Sequence, residues 1–249
     1  MELVAGLYVF VVGLCFGSFY NVVGLRMPEN KSIIRPRSSC PHCHHQLKAI
    51  ELIPVVSYIL QRGKCKKCGT KISFVYPLME LITGLLFVLA LSEATSIGFL
   101  VVSLTFISML VIITVSDIAY QLILDKHLIF FMVVFIIERI MFKNIQLTNF
   151  LDFVLMYVVV WLFAVIMTKI LKKEALGGGD IKLLAVNAFM LGFVNTLVSI
   201  FIAAVIALVA ILLSKKRDYI AFGPFLAIGA IIMWFYGSEI INWYVGLLF

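Results

Sequence analysis

The amino-acid sequence predicts an all-α polytopic membrane protein with about eight transmembrane helices. Three observations carry this. Of 249 residues, 63% are hydrophobic and only 13% are charged, against roughly 45–50% and about 25% in soluble domains. The mean hydropathy is +1.12. Apolar runs close to the roughly 20 residues that a spanning helix needs recur along the chain. A soluble fold of this size cannot hide so much apolar surface, so lipid is the remaining solvent. Disordered, collagen-like and secreted disulfide-scaffold classes are excluded by the same composition. The net charge of +7 is read as orienting the chain in the bilayer, not as a nucleic-acid footprint.

The first run, Val4 to Leu25, lacks a basic start and a small-residue cleavage site and is longer than a signal-peptide core, so it reads as a span. A polar stretch of 51 residues follows, Arg26 to Tyr76. Further spans are expected near 77–91, 98–116, 127–142 and 150–168. Beyond Asp180 the apolar sequence is broken by Gly192, Asn195 and Lys215-Lys216-Arg217, which divides it into spans near 183–195, 196–213 and 222–240. The span 183–195 is short and needs tilt or shielding by its neighbours. Placing the N-terminus outside puts 18 of the 20 Lys and Arg residues on the inner side, with only Arg139 and Lys143 near the outer side. That split obeys the positive-inside rule and makes the 26–76 loop cytoplasmic. The chain therefore divides into a first helix (1–25), a cytoplasmic loop (26–76) and a transmembrane core (77–249). No internal repeat is visible.

Four of the five cysteines lie in that loop as Cys40-x2-Cys43 and Cys65-x2-Cys68, with 21 residues between the pairs. Two such knuckles make a tetrahedral sulfur cage for a zinc ion. A cytoplasmic loop is held reducing, which disfavours the alternatives of two disulfides or a redox pair. Four thiolates close the site, so the metal would be structural and would fold a loop too polar to have its own core. His42, His44 and His45 are possible substitute ligands but read as solvated loop residues. Cys15 reads as a small packing residue.

Charged groups near the membrane core are functional suspects. Most acidic residues lie in loops or at helix ends. Glu138 is followed by Arg139, which reads as local charge compensation. Asp152 begins a span, where a carboxylate suits a helix N-terminus. Glu80, just inside the second span, faces head groups or a polar cavity. Two aspartates stand apart. Asp117 ends the apolar run 98–116, and Asp180 follows Gly177-Gly178-Gly179 and opens a helix. Both are expected at the same depth on the cytoplasmic side. Three glycines would let an extended peptide backbone approach the carboxylate. Read blandly, the glycines are a turn and Asp180 a helix cap. Asp125, eight residues from Asp117, reads as a connecting-loop residue on the solvent or substrate side.

These residues resemble the type IV prepilin peptidases, the prepilin leader peptidase/N-methyltransferases. The likeness runs through Gly17-Ser18-Phe19-Tyr20-Asn21-Val22-Val23 with Arg26-x-Pro28, then Cys40-Pro41-x-Cys43, and Glu51-Leu52-Ile53-Pro54 with Ser57-Tyr58. It continues in Gly63-Lys64-Cys65-x-x-Cys68, Tyr76-Pro77-x-x-Glu80, Thr114-x-x-Asp117 and Gly177-Gly178-Gly179-Asp180-Ile181-Lys182. Gly-x-Gly-Asp alone is shared with presenilin-like intramembrane proteases; with the paired Cys-x-x-Cys loop it is specific. Size and organisation resemble the Gram-positive members that process competence pseudopilins.

The resemblance implies an intramembrane aspartyl protease of the Gly-x-Gly-Asp type, with Asp117 and Asp180 as the catalytic dyad. It implies prepilin or pseudopilin precursors as substrates, each with a short basic leader and an apolar helix in the lipid bilayer. It also implies methylation of the new amino terminus from S-adenosylmethionine. No glycine-rich nucleotide fingerprint marks that cofactor's site, and Gly63, Glu80 and the 44–64 loop are only places to look. The rival class is an ion-coupled transporter with a regulatory zinc loop, since broken helices and buried carboxylates also mark transporters. The absence of two matching interrupted halves counts against it.

Overall fold

A computed structural model describes residues 2–173, 175–213 and 221–248. Glu174, Asp218 and the Lys215-Lys216-Arg217 triplet lie outside them. Among the described residues the regular secondary structure is helical, with no strand beyond two isolated bridges, Ser39 with Gln46 and Lys64 with Lys71. In chain order the helices are α1 (Glu2–Arg26), α2 (Val56–Leu60), α3 (Val75–Ser92), α4 (Ile97–Tyr120), α5 (Asp125–Met141), α6 (Leu147–Leu171), α7 (Gly178–Leu191), α8 (Phe193–Leu213) and α9 (Gly223–Leu248). Six of them, α1, α3, α4, α6, α8 and α9, are long and apolar enough to cross a membrane. The remaining two expected spans correspond to α5 and α7, which are shorter. The chain forms two compact units, residues 1–116 and 117–249.

In the first unit, α1 packs along α3. The approach is close because glycines face the partner: a Cβ at Gly13 would lie 2.8 Å from the Gly84 Cα, and one at Gly17 only 2.7 Å from the Glu80 Cα. Small residues four apart are a common way for helices in lipid to approach. Polar ties between helices complete the packing. Tyr20 and Ser108 share a buried hydrogen bond of 2.5 Å, and the Asn21 amide donates to the Tyr76 carbonyl at 3.1 Å. Glu80 is buried and accepts the Val55 backbone N–H at 2.7 Å. The carboxylate thus anchors the polar loop to its own helix.

The second unit is organised round α7, which packs against α5, α6, α8 and α9. Every residue from Leu183 to Leu191 is buried. At 14 residues α7 is about 21 Å long, too short for a hydrocarbon core of about 30 Å. Sequence reasoning placed this span at 183–195. The helix instead starts at Gly178 and stops at Gly192, where φ is +86°, so residues 193–195 open α8. The last carbonyls of a helix have no partner within it and must be satisfied from elsewhere, and those of α7 are. Gly192 N–H donates to Ala188 O at 2.9 Å. The Arg139 guanidinium donates to Phe189 O at 3.5 Å and Met190 O at 3.1 Å, and Asn149 adds 3.3 Å to Phe189 O. The Asn195 amide donates to Leu191 O at 2.8 Å. The Arg139 guanidinium also sits 5.6 Å from the Phe189 ring centroid. A reading of Arg139 as mere compensation for Glu138 misses this role: it caps the negative end of a neighbouring helix.

Candidate functional site

Asp117 lies in the last turn of α4, three residues from its end, and is only 6% exposed. The helix stops beyond it because Gln121 adopts φ of +51°. Its Oδ2 accepts the backbone N–H of Gly223, the first residue of α9, at 2.8 Å. A helix N-terminus thus points a free donor at this carboxylate. No side chain would fit at the donor, since a Cβ on Gly223 would come within 2.7 Å of Oδ2.

Asp180 is the third residue of α7, after Gly177 as the N-cap. Its carboxylate accepts the Gly177 backbone N–H and lies close enough to Asp117 for their charges to interact. The two aspartates singled out from the sequence are therefore brought together, both within the second unit. The three glycines differ in function. A Cβ at Gly179 would lie 2.8 Å from the Ile123 Cβ, whereas one at Gly178 would meet nothing within 4 Å. The requirement at 179 is therefore close packing of α7 on the 121–124 link.

Asp125 is the first residue of α5 rather than a loop residue. Both its oxygens accept the Lys182 ammonium at 2.7 Å. Lys182 borders two open grooves, one of about 500 Å³ beside Trp161, Lys169 and Gly178, the other of about 410 Å³ beside Ile129, Phe153 and Val186.

The four cysteines of the first unit converge, with all four sulfurs within 4.8 Å of one another. The two knuckles are wired alike. Cys40 N–H donates to His45 O and His44 N–H to Cys40 O; Cys65 N–H donates to Thr70 O and Gly69 N–H to Cys65 O. Each turn needs a left-handed residue, supplied by His44 at φ +54° and Gly69 at φ +71°. Cys40 and Cys68 sulfurs lie 3.8 Å apart, Cys43 and Cys65 sulfurs 3.9 Å apart. Zinc–sulfur bonds of about 2.3 Å give a tetrahedron with edges of about 3.8 Å, so the cluster fits that ion. Backbone N–H groups of Cys43 and His42 lower the Cys40 thiol pKa, and the Thr70 hydroxyl and N–H pull Cys68 down to about 6. Against the His45 N–H, desolvation and the neighbouring sulfurs push Cys43 up to about 11. Four crowded thiols resist joint ionisation, which a bound cation would relieve. His45 is engaged elsewhere, 3.3 Å from Glu51, whose carboxylate is held below its usual range by the Lys48 N–H and by His45.

Comparison with known proteins decides the family. Residues 104–212 match the type IV leader peptidase family and residues 11–94 the bacterial peptidase A24 N-terminal domain. The prepilin leader peptidase/N-methyltransferase of Bacillus subtilis (strain 168) is 40% identical over 248 residues, covering 95% of this chain and 96% of that one. The chain belongs to the type IV leader peptidase family. The proteins of the same description from Neisseria gonorrhoeae and Legionella pneumophila are 32% and 31% identical, covering 94% and 99% of this chain and 93% and 95% of theirs. No solved structure matches the chain.

Sequence reasoning singled out the two aspartates and the four cysteines that the structure brings together. It missed Gly223, Lys182 and Arg139 as partners. Gly223-Pro224 carried a signal, because proline just inside a helix start marks an N-terminus; no local signal said which carboxylate that terminus would face.

Proposed function

We propose that this protein is a membrane aspartic endopeptidase that removes the short basic leader from prepilin or pseudopilin precursors, and N-methylates the new amino terminus using S-adenosylmethionine. The observation that carries the peptidase reading is the meeting of Asp117 and Asp180 within interaction range, one held by Gly223 N–H and the other by Gly177 N–H.

Close carboxylates resist joint ionisation, so the pair holds one shared proton. The ionised member takes a proton from water, and the water oxygen attacks the scissile carbonyl. The protonated member donates to the carbonyl oxygen. Collapse of the tetrahedral intermediate releases the leader carboxylate and the new amine, and no acyl-enzyme forms. Asp117 is fixed by its backbone donor and by α9, so it meets the substrate already oriented.

Cys40, Cys43, Cys65 and Cys68 would hold a zinc ion that orders the loop and takes no part in bond cleavage. The methyl donor would be S-adenosylmethionine; the relatives' names give an N-methyltransferase activity. The distribution of Lys and Arg supports an N-terminus outside and a cysteine loop in the cytoplasm, where a leader would stay. None of the relatives' names favours an ion-coupled transporter. The test is purified protein with a precursor peptide, with and without S-adenosylmethionine, read by mass spectrometry. A shortened product that gains one methyl mass only with the cofactor is expected; an uncut peptide would sink the reading.

A further inference from the structure

We propose that the Asp125–Lys182 ion pair is a clamp that fixes the separation of Asp117 and Asp180, making both members positioning residues. The inference rests on the dyad reading above. Its parts form a closed path. Asp117 and Asp125 are joined by the end of α4 and the short 121–124 link. Asp180 and Lys182 are neighbours on the first turns of α7. The Lys182 ammonium bridges the two arms by donating to both Asp125 oxygens at 2.7 Å.

Inside the path, buried Ile123 fills the space beside Gly179, where a Cβ would be 2.8 Å away. Gln121 at φ +51° turns the chain sharply just after Asp117. Hydrophobic contact at Ile123 sets how near α7 lies, but apolar packing is not directional. A bidentate ion pair is directional, and its lysine lies two residues beyond Asp180.

Its weight should be in geometry rather than stability. The two side chains are 45% and 57% exposed, and pairs so exposed contribute little to folding. Misplacing a catalytic group by about 1 Å, by contrast, can cost up to about 10²-fold in rate.

Two measurements test the clamp. In precursor cleavage, Asp125→Asn and Lys182→Met should each lower kcat roughly tenfold with KM nearly unchanged. Lys182→Arg, whose fork can still grip the carboxylate, should keep most of the activity. The exchanged pair, Asp125→Lys with Lys182→Asp, should recover most of what either single change loses. Wild-type kcat in the single variants, a change confined to KM, or no recovery in the exchanged pair would each overturn it. The second measurement needs no substrate. Hydrogen exchange of the amides in 178–184 should quicken several-fold in Asp125→Asn and return to the wild-type rate in the exchanged pair. Unchanged exchange would overturn the clamp even if the chain cleaves precursors, whereas failure of the wild type to cleave would count against the dyad reading alone.

Discussion

Asp117 depends on a residue without a side chain. Gly223 offers its N–H from 106 positions away and leaves no room for a Cβ. Asp117→Asn and Asp180→Asn should each reduce cleavage by roughly 10³-fold, since each role needs its own ionisable oxygen. Gly223→Ala should cost about 10- to 100-fold by displacing Asp117. Gly178→Ala, facing open space, should cleave at close to the wild-type rate. Rates on one precursor peptide check the set, and a harmless Gly223→Ala would show that the backbone donor is dispensable. The aspartates were legible in the sequence because a carboxylate beside apolar runs has few structural uses. Gly223 was not, because a backbone donor has no residue-type signature and its acceptor is set by tertiary packing.

Among the elements, the four-cysteine loop was the most legible and α7 the least. Cysteine spacing and the two matched turns are local chemistry, so the cluster could be drawn before any fold was known. Chelation, or Cys43→Ser, should release about one zinc per chain by elemental analysis and unfold the 26–76 loop, because the metal supplies much of its folding free energy. Methyl transfer should then fall more than cleavage, and Asp117→Asn given an already cut peptide should still methylate it. Equal loss of both activities in every variant would mean one shared site. The far end of α7 was misread because hydropathy does not separate the end of one buried helix from the start of the next. Gly192 marks the break. The Arg139 and Asn149 that close it come from α5 and α6, which sequence separation hid.

At the scale of the molecule, helices form where the apolar runs were expected to span, since both follow from where apolar sequence stops, but among the described residues only six of the eight are long and apolar enough to cross a membrane. Orientation rests on charge: 18 of 20 basic residues fall on one side in the proposed layout. A cysteine placed at Asn144, which is exposed between α5 and α6, should be labelled by an impermeant maleimide in intact cells. One at Ser73, exposed just before α3, should need permeabilised membranes. The reverse pattern would invert the topology and move the leader to the wrong side. The division at residue 117 was not visible in the sequence, because α4 runs through it without a break.

The side-chain closure at the C-terminal end of α7 makes the helix a ruler. Most spanning helices find their level from the two water boundaries and tilt when the lipid slab thickens. The C-terminal end of α7 is tied by the side chains of Arg139, Asn149 and Asn195. The level of Asp180 should then be set by protein, with little influence of lipid chain length. In vesicles of short-chain and long-chain phosphatidylcholine the same peptide bond should be cut, even where the rate differs. Mass spectrometry of the products would reveal a cut that migrates with slab thickness, and such a migration would mean that the bilayer, not Arg139, sets the mark.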